Sequence, residues 1–178
     1  RLLSVMLSIP GAVSIAAISD AIDIDADAAL VTAGSGVLLP VLARRTAGAG
    51  LTGFEWAVGV PGSVGGAVRM NAGGHGSDMS ASLISVTIAD LARIGAAERD
   101  IVKKMNADDL ALRFRGSGLE STQLVLDATL QLAKGDREIA EAELSEIVHW
   151  RRANQPGGQN AGSVFVNPVP GEVAAGAL

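Results

Sequence analysis

Residues 59 to 76 read GVPGSVGGAVRMNAGGHG, and seven of these eighteen residues are glycine. This stretch constrains the fold more than any other. Its composition suits neither an ordinary helix nor an alternating strand, because glycine weakens both. Bare main chain lets a neighbour approach closely, and successive N–H groups in such a loop can converge on an anion such as phosphate. The alternative is a set of tight turns around a core, and the residues alone leave the two readings open. Three known loops do not apply. No Gly-Lys-Ser/Thr follows the glycines, so this is not a P-loop. The spacing Gly59, Gly62, Gly65, Gly66 misses the dinucleotide fingerprint, and Pro61 stands where the hydrolase elbow needs glycine.

The chain has 178 residues, enough for one large domain or two small ones. Aromatic residues are only 3%, so the core must be built from Ala, Val, Leu and Ile. A net charge of -5 argues against a nucleic-acid partner, which needs a basic patch. There are no cysteines, which excludes disulfides and thiol catalysis and fits a reducing compartment. His75 and His149 are too few and too far apart for a metal cluster. Residues 1 to 18 superficially resemble a signal peptide, but Pro10 and three serines interrupt the apolar run, and it reads better as buried strand or helix. No uninterrupted apolar stretch is long enough to span a membrane. Arg1 at the start and GEVAAGAL at the end suggest a segment of a longer protein.

Periodicity gives a mixed α+β pattern. Residues 20 to 32 alternate Ile and Asp in part, as a strand with one wet face does. A turn follows at 33 to 36. A helix is predicted over 38 to 49, with Pro40 in its first turn and Gly48 and Gly50 at its end. Strands are predicted at 82 to 91 and at 123 to 133, the latter with Leu124, Leu126, Ala128 and Leu130 on one face. A second helix is predicted over 137 to 153, capped by Asp136. Its apolar stripe runs through Ile139, Ala140, Leu144, Ile147 and Val148, and Arg151 and Arg152 oppose the dipole at its end. Glu138, Glu141, Glu143 and Glu146 read as solvated helix surface. QPGGQN at 155 to 160 has the composition of a hinge between domains.

Three segments carry a family resemblance. GFEWAVGVPGSVGGAVRMNAGGHGSDM (53 to 79) resembles the flavin-binding segment of UDP-N-acetylenolpyruvoylglucosamine reductases, also called UDP-N-acetylmuramate dehydrogenases. QNAGSVFVNP (159 to 168) resembles that family's Gly-Ser-x-Phe-x-Asn-Pro signature, and LRFRGSGL (112 to 119) resembles its Tyr-Arg-x-Ser segment. The resemblance implies a two-part, PCMH-type FAD-binding domain of which this chain holds the second part. Residues 1–153 would belong to that domain and 154–178 would begin a C-terminal substrate-binding domain. It implies a cytoplasmic enzyme of peptidoglycan precursor synthesis with FAD and NADPH as cofactors and a UDP-sugar enolpyruvyl ether as substrate.

In such an enzyme NADPH reduces the flavin, N5 passes hydride to C3 of the enolpyruvyl ether, and a serine protonates C2. The resemblance assigns FAD contacts to Gly59, Val60, Pro61, Gly62, Ser63, Gly65, Gly66, Ala67, Asn71, Ala72 and Gly73. It assigns catalysis to Arg115, which would hold a carboxylate and stabilise enolate charge, and to Ser163, the proton donor. Asn167 and Pro168 would fix the turn that presents Ser163. His75 reads as a surface loop residue. Two positions depart from the pattern: Phe114 replaces a frequent tyrosine and Val166 a frequent lysine. The first FAD subdomain and most of the substrate domain would lie outside this chain, so the chain alone is expected to show little or no reductase activity. Two competing readings are another FAD-linked oxidoreductase of the same fold, which has no need of the Ser163 motif, and a noncatalytic module that binds a phosphorylated ligand.

Overall fold

The Ile–Asp alternation near the start of the chain folds as a hairpin, not as one strand. In the computed structural model, which describes residues 19–93 and 101–155, β1 (Ile22–Asp25) pairs antiparallel with β2 (Leu30–Gly34). The break has a local cause. The Asp25 carboxylate accepts from the Ala28 amide at 2.9 Å, and Ala29 takes a left-handed φ of 52°. Aspartate makes this turn by bonding the backbone ahead of it.

The chain continues through α1 (Leu39–Gly48), β3 (Leu51–Thr52), a 3-10 turn (Glu55–Gly59) and α2 (Val64–Met70). A small hairpin of β4 (Gly73–Gly74) and β5 (Ser77–Asp78) follows, then β6 (Leu83–Asp90), β7 (Val102–Asn106), β8 (Gln123–Gln131), β9 (Ala133–Lys134) and α3 (Arg137–Asn154). The main sheet has the order β1-β2-β8-β6-β7, and every pairing in it is antiparallel. Short β3 pairs with β9 and so ties the end of α1 to the start of α3. α2 packs on β8, while the 3-10 turn touches both α1 and α3.

Small side chains build the core, as the shortage of aromatics requires. Ala33, Ala43, Ala47, Ala57 and Ala128 are fully buried beside Leu39, Leu42, Val86, Ile88 and Leu130. The main aromatic contact is an edge-to-face pair, Phe54 on Trp56, with centroids 5.2 Å apart. Pro40 stands at the start of α1, where a missing N–H loses nothing. The Asp136 carboxylate caps α3, accepting from the amides of Glu138 and Ile139 at 2.8 and 3.1 Å. Such a cap contributes about 1 kcal/mol.

Three further sequence expectations need correction, and one strand carried no expectation at all. The glycine-rich stretch does contain a helix, α2, because packing on β8 outweighs the poor propensity of Gly65 and Gly66. The face expected on β8 changes along the strand. Ala128 and Leu130 are buried, but so is Val125, while Leu124 is 38% exposed. The register with β6 slips between Thr87 and Ile88, where Leu126 is passed over, and a bulge of one residue turns the alternation over. On α3, Ala140, Leu144 and Ile147 are buried as expected, but Ile139 in the first turn is 69% exposed. β7 carries Lys103 and Lys104 at a sheet edge and had no apolar signature to announce it. The proposed hinge and second domain fall almost entirely after Gln155, outside the described residues, as do residues 1 to 18.

Candidate functional site

The glycine-rich segment is stitched to the loop before α1. Leu38 and Ser63 form an isolated antiparallel bridge. The Leu39 amide donates to the Gly62 carbonyl at 3.0 Å, and the amides of Val64 and Gly65 donate to the carbonyls of Val37 and Ser35 at 2.9 Å each. Two of the N–H groups at the start of α2 therefore already have protein acceptors. The Gly66 amide has no partner among the described residues.

Beside this seam lies a cleft of about 390 Å³, lined by Ser35, Ser63, Gly65, Gly66, Arg69, Ser121, Gln123, Leu124 and Val125. It opens between α2 and the start of β8. A Cβ placed on Gly66 would meet only the Ser63 Oγ, at 3.9 Å, so the bare face of this residue looks into open space. Ser63 is the N-cap residue of α2, yet its hydroxyl makes no capping bond. The cleft thus offers a free hydroxyl, a free amide and the Arg69 cation around an uncovered patch of main chain. Those are the groups that hold a phosphate ester.

The eleven residues assigned to FAD divide on this geometry. Ser63, Gly65 and Gly66 line the cleft. Gly62 precedes Ser63 in the chain, and a Cβ on it would meet nothing within 4 Å. Val60 is half-buried and Pro61 exposed, while Ala67 is buried on the core side of α2. Gly59 lies against Ile147 and Arg151 of α3 and against His75. Ala72 accepts from the Met79 amide and donates to the Ala67 carbonyl, both at 2.9 Å. Asn71 closes α2 in a left-handed conformation, φ 40°. Its amide group donates to the Asp78 carboxylate and its oxygen accepts from the Ser80 amide, each at 3.0 Å. A Cβ on Gly73 would sit 2.6 Å from the Asp78 Cβ and 2.6 Å from the Ser77 carbonyl oxygen. Asn71 and Gly73 therefore serve the β4–β5 hairpin.

Arg115 sits at the tip of a tight hairpin closed by mutual bonds between Arg113 and Gly116, both 3.0 Å. Its φ is 54°, a conformation uncommon for arginine, and the residue is exposed. The guanidinium carbon lies 5.6 Å from the centroid of the Phe114 ring, which is 89% exposed. Buried Ser117, two residues on, donates its hydroxyl to the Arg69 carbonyl at 2.9 Å. The Arg69 Nη1 in turn donates to the carbonyls of Glu120 and Gln123 at 3.2 and 3.3 Å. The structure thus joins two of the three sequence segments. Ser163, Val166, Asn167 and Pro168 lie outside the described residues.

Sequence reasoning missed Arg69, Ser35 and the β8 residues of the cleft. Arg69 had a signal, since it stands three residues after Gly66 and shares its face once α2 is recognised as a helix. Ser35 and Gln123 had none, because they arrive through the tertiary fold.

Two further grooves flank α3. One of about 670 Å³ is lined by Arg44, Val58, Leu144, His149 and Arg152 among others, and Val58 is its one residue from the three segments. The other, of about 590 Å³, includes Glu143, Glu146 and the edge-to-face pair of His75 and Trp150. His75 thus packs on α3. Burial, then the Glu55 and Glu146 carboxylates, push the Glu143 carboxyl above its usual range. The native state consequently holds this proton to higher pH than the unfolded chain does, and stability falls as pH rises through that window. Glu143→Gln is expected to stabilise the protein at pH 7, with the gain fading below the ordinary carboxylate range. Denaturant titrations at pH 4 and pH 7 measure this, and equal differences at both would contradict it. Among the described residues no group of three His, Cys, Asp or Glu side chains is placed to hold a metal, and no helix is long and apolar enough to cross a membrane.

An antiparallel sheet with a glycine-rich helix over its β8 strand and a polar cleft beside it makes an α+β domain, and it is similar to known FAD-binding domains. A family model described as an FAD binding domain matches residues 8–93. UDP-N-acetylenolpyruvoylglucosamine reductase from Synechococcus sp. (strain RCC307) is 41% identical over 150 residues, covering 83% of this chain and 47% of that protein. The reductase of the same name from Bacillus velezensis is 36% identical over 154 residues, covering 85% and 48%. The crystal structure of UDP-N-acetylenolpyruvylglucosamine reductase from Thermus caldophilus superposes with a TM-score of 0.69 at 32% identity, covering 82% of this chain and 51% of that one. The chain is a partial member of the UDP-N-acetylenolpyruvoylglucosamine reductase family. It spans about half the length of the relatives it matches.

Proposed function

We propose that this chain is the FAD-binding portion of a cytoplasmic reductase that converts UDP-N-acetylglucosamine enolpyruvate to UDP-N-acetylmuramate with NADPH, a step of peptidoglycan precursor synthesis. The observation that carries the reading is the cleft at Ser63, Gly66 and Arg69, where bare main chain, a free hydroxyl and a cation meet. Bound FAD would supply the hydride. Gly62, Ser63 and Gly66 would border the cofactor without a side chain in its way, and Ser63 Oγ and the Gly66 amide would donate hydrogen bonds. Gly59, Asn71, Ala72 and Gly73 would act from behind, by fixing the supporting hairpin and the packing against α3. Arg115 would meet the substrate carboxylate and take up charge that develops on it. Its hairpin is tied through Ser117 to the carbonyl of Arg69, a residue that lines the cleft, and this link supports the assignment.

Ser163 would deliver the proton that completes the reduction. A serine hydroxyl is a weak acid, so it acts only when held beside the accepting carbon and coupled to other donors. The test is Ser163→Ala in the complete protein under steady-state turnover with NADPH and the enolpyruvyl substrate. Flavin reduction by NADPH is expected to persist while substrate turnover falls by roughly 10²–10⁴-fold, the usual contribution of a positioned proton donor. Unchanged turnover would remove Ser163 from the mechanism.

A further inference from the structure

Arg69 has two attachments that no motif assigned to it. It is half-buried in the last turn of α2 and lines the cleft with Ser63 and Gly66. One of its terminal nitrogens donates to the carbonyls of Glu120 and Gln123, at 3.2 and 3.3 Å, in the segment that leads into β8. Its own carbonyl accepts the Ser117 hydroxyl at 2.9 Å. A guanidinium has five N–H donors in a rigid fork. The two bonds from Nη1 leave Nε and Nη2 with no protein acceptor among the described residues. No carboxylate is paired with Arg69 there either. The cation is fixed in place on one side and unneutralised on the other, at the wall of a cleft otherwise lined by serines, glycines, Gln123 and apolar side chains.

We propose that Arg69 is the phosphate anchor of this cleft, and that the same residue couples ligand binding to the Arg115 hairpin. The inference rests on the reading of the cleft as a dinucleotide site and adds the residue that selects for the phosphates. The free edge of the guanidinium takes two phosphate oxygens, a geometry that lysine cannot copy. Because Nη1 is already held by Glu120 and Gln123, and the Arg69 carbonyl by Ser117, an anion on the free edge immobilises residues 113 to 123 as well. Arg69 is a positioning residue for Arg115 and a direct contact for the ligand.

The test compares Arg69→Met, Arg69→Lys and Ser117→Ala in binding titrations with FAD and with riboflavin, which has the same ring system and no phosphate. Arg69→Met is expected to weaken FAD about 10–100-fold and riboflavin less than twofold. Arg69→Lys is expected to restore only part of the loss. Ser117→Ala is expected to keep FAD affinity but speed amide exchange over residues 113–117, and FAD should slow that exchange in the unmodified protein but not in Arg69→Met. Pyrophosphate alone is expected to shift the Arg69 Nε resonance. An unchanged ratio of FAD to riboflavin affinity in Arg69→Met overturns the anchor. If the unmodified protein binds neither flavin while pyrophosphate still shifts Arg69 Nε, the flavin reading fails and the anchor stands. If pyrophosphate shifts nothing, the anchor fails on its own.

Discussion

Replacing Gly66 by leucine is expected to abolish FAD binding and leave the fold intact. The position is helical, and a helix-favouring residue in place of glycine stabilises a helix interior by roughly 0.5–1 kcal/mol. The protein leaves room for the first atom of the new side chain, since a Cβ there meets only the Ser63 hydroxyl at 3.9 Å. The side chain instead occupies the cleft that Ser63, Arg69 and Gln123 surround. Loss of affinity by at least ~100-fold, about 2.8 kcal/mol, is expected in a flavin titration. The melting temperature without flavin should stay the same or rise. Undiminished FAD affinity would show that the ligand lies elsewhere.

Gly73→Ala, seven residues later in the same glycine-rich stretch, is expected to do the opposite. Its Cβ would fall 2.6 Å from the Asp78 Cβ and from the Ser77 carbonyl oxygen, and these belong to the paired strand of the β4–β5 hairpin. Neither can move without breaking the pairing or the Asn71 bond to Asp78. Overpacking of this kind costs about 2–3 kcal/mol, which lowers the melting temperature of a domain this size by roughly 4–12 °C. Below that temperature FAD affinity should fall no more than a few-fold. A stability unchanged by Gly73→Ala would show that the hairpin is not packed as described. Together the two substitutions separate glycines that make room for a ligand from glycines that make room for protein.

Much of the fold was legible because local chemistry and tertiary packing agree. Pro40 and Asp136 mark the starts of α1 and α3 with the groups that helix starts require. The β-branched run at β6 also forms the strand it suggests, with Val86 and Ile88 fully buried. What was not legible depended on neighbours distant in sequence. The bulge at Leu126 is a property of the β6–β8 register, so the alternation of β8 alone misplaced Leu124 and Val125. The helix at Val64–Met70 forms on glycines that argue against it, because Gly65 lets the chain rest on Ser35, where a Cβ would stand only 2.9 Å from the Ser35 Cβ.

The candidate site shows the same division. The resemblance drew attention to the segment that borders the cleft, and Ser63 and Gly66 were named from it. It did not distinguish Gly66, which faces the cleft, from Gly73, which faces Asp78, since both are simply glycine in sequence. Arg69 was passed over because its value comes from Glu120, Gln123 and Ser117, some fifty residues away.

Amide chemical-shift mapping with FAD tests the central claim most directly, namely that the flavin dinucleotide sits between α2 and β8. The account expects the largest shifts at Ser35, Ser63, Gly66, Arg69 and residues 123–125, with the groove of Arg44, His149 and Arg152 unmoved. Shifts confined to that groove, with the Gly66 and Arg69 amides unchanged at saturating FAD, would contradict it.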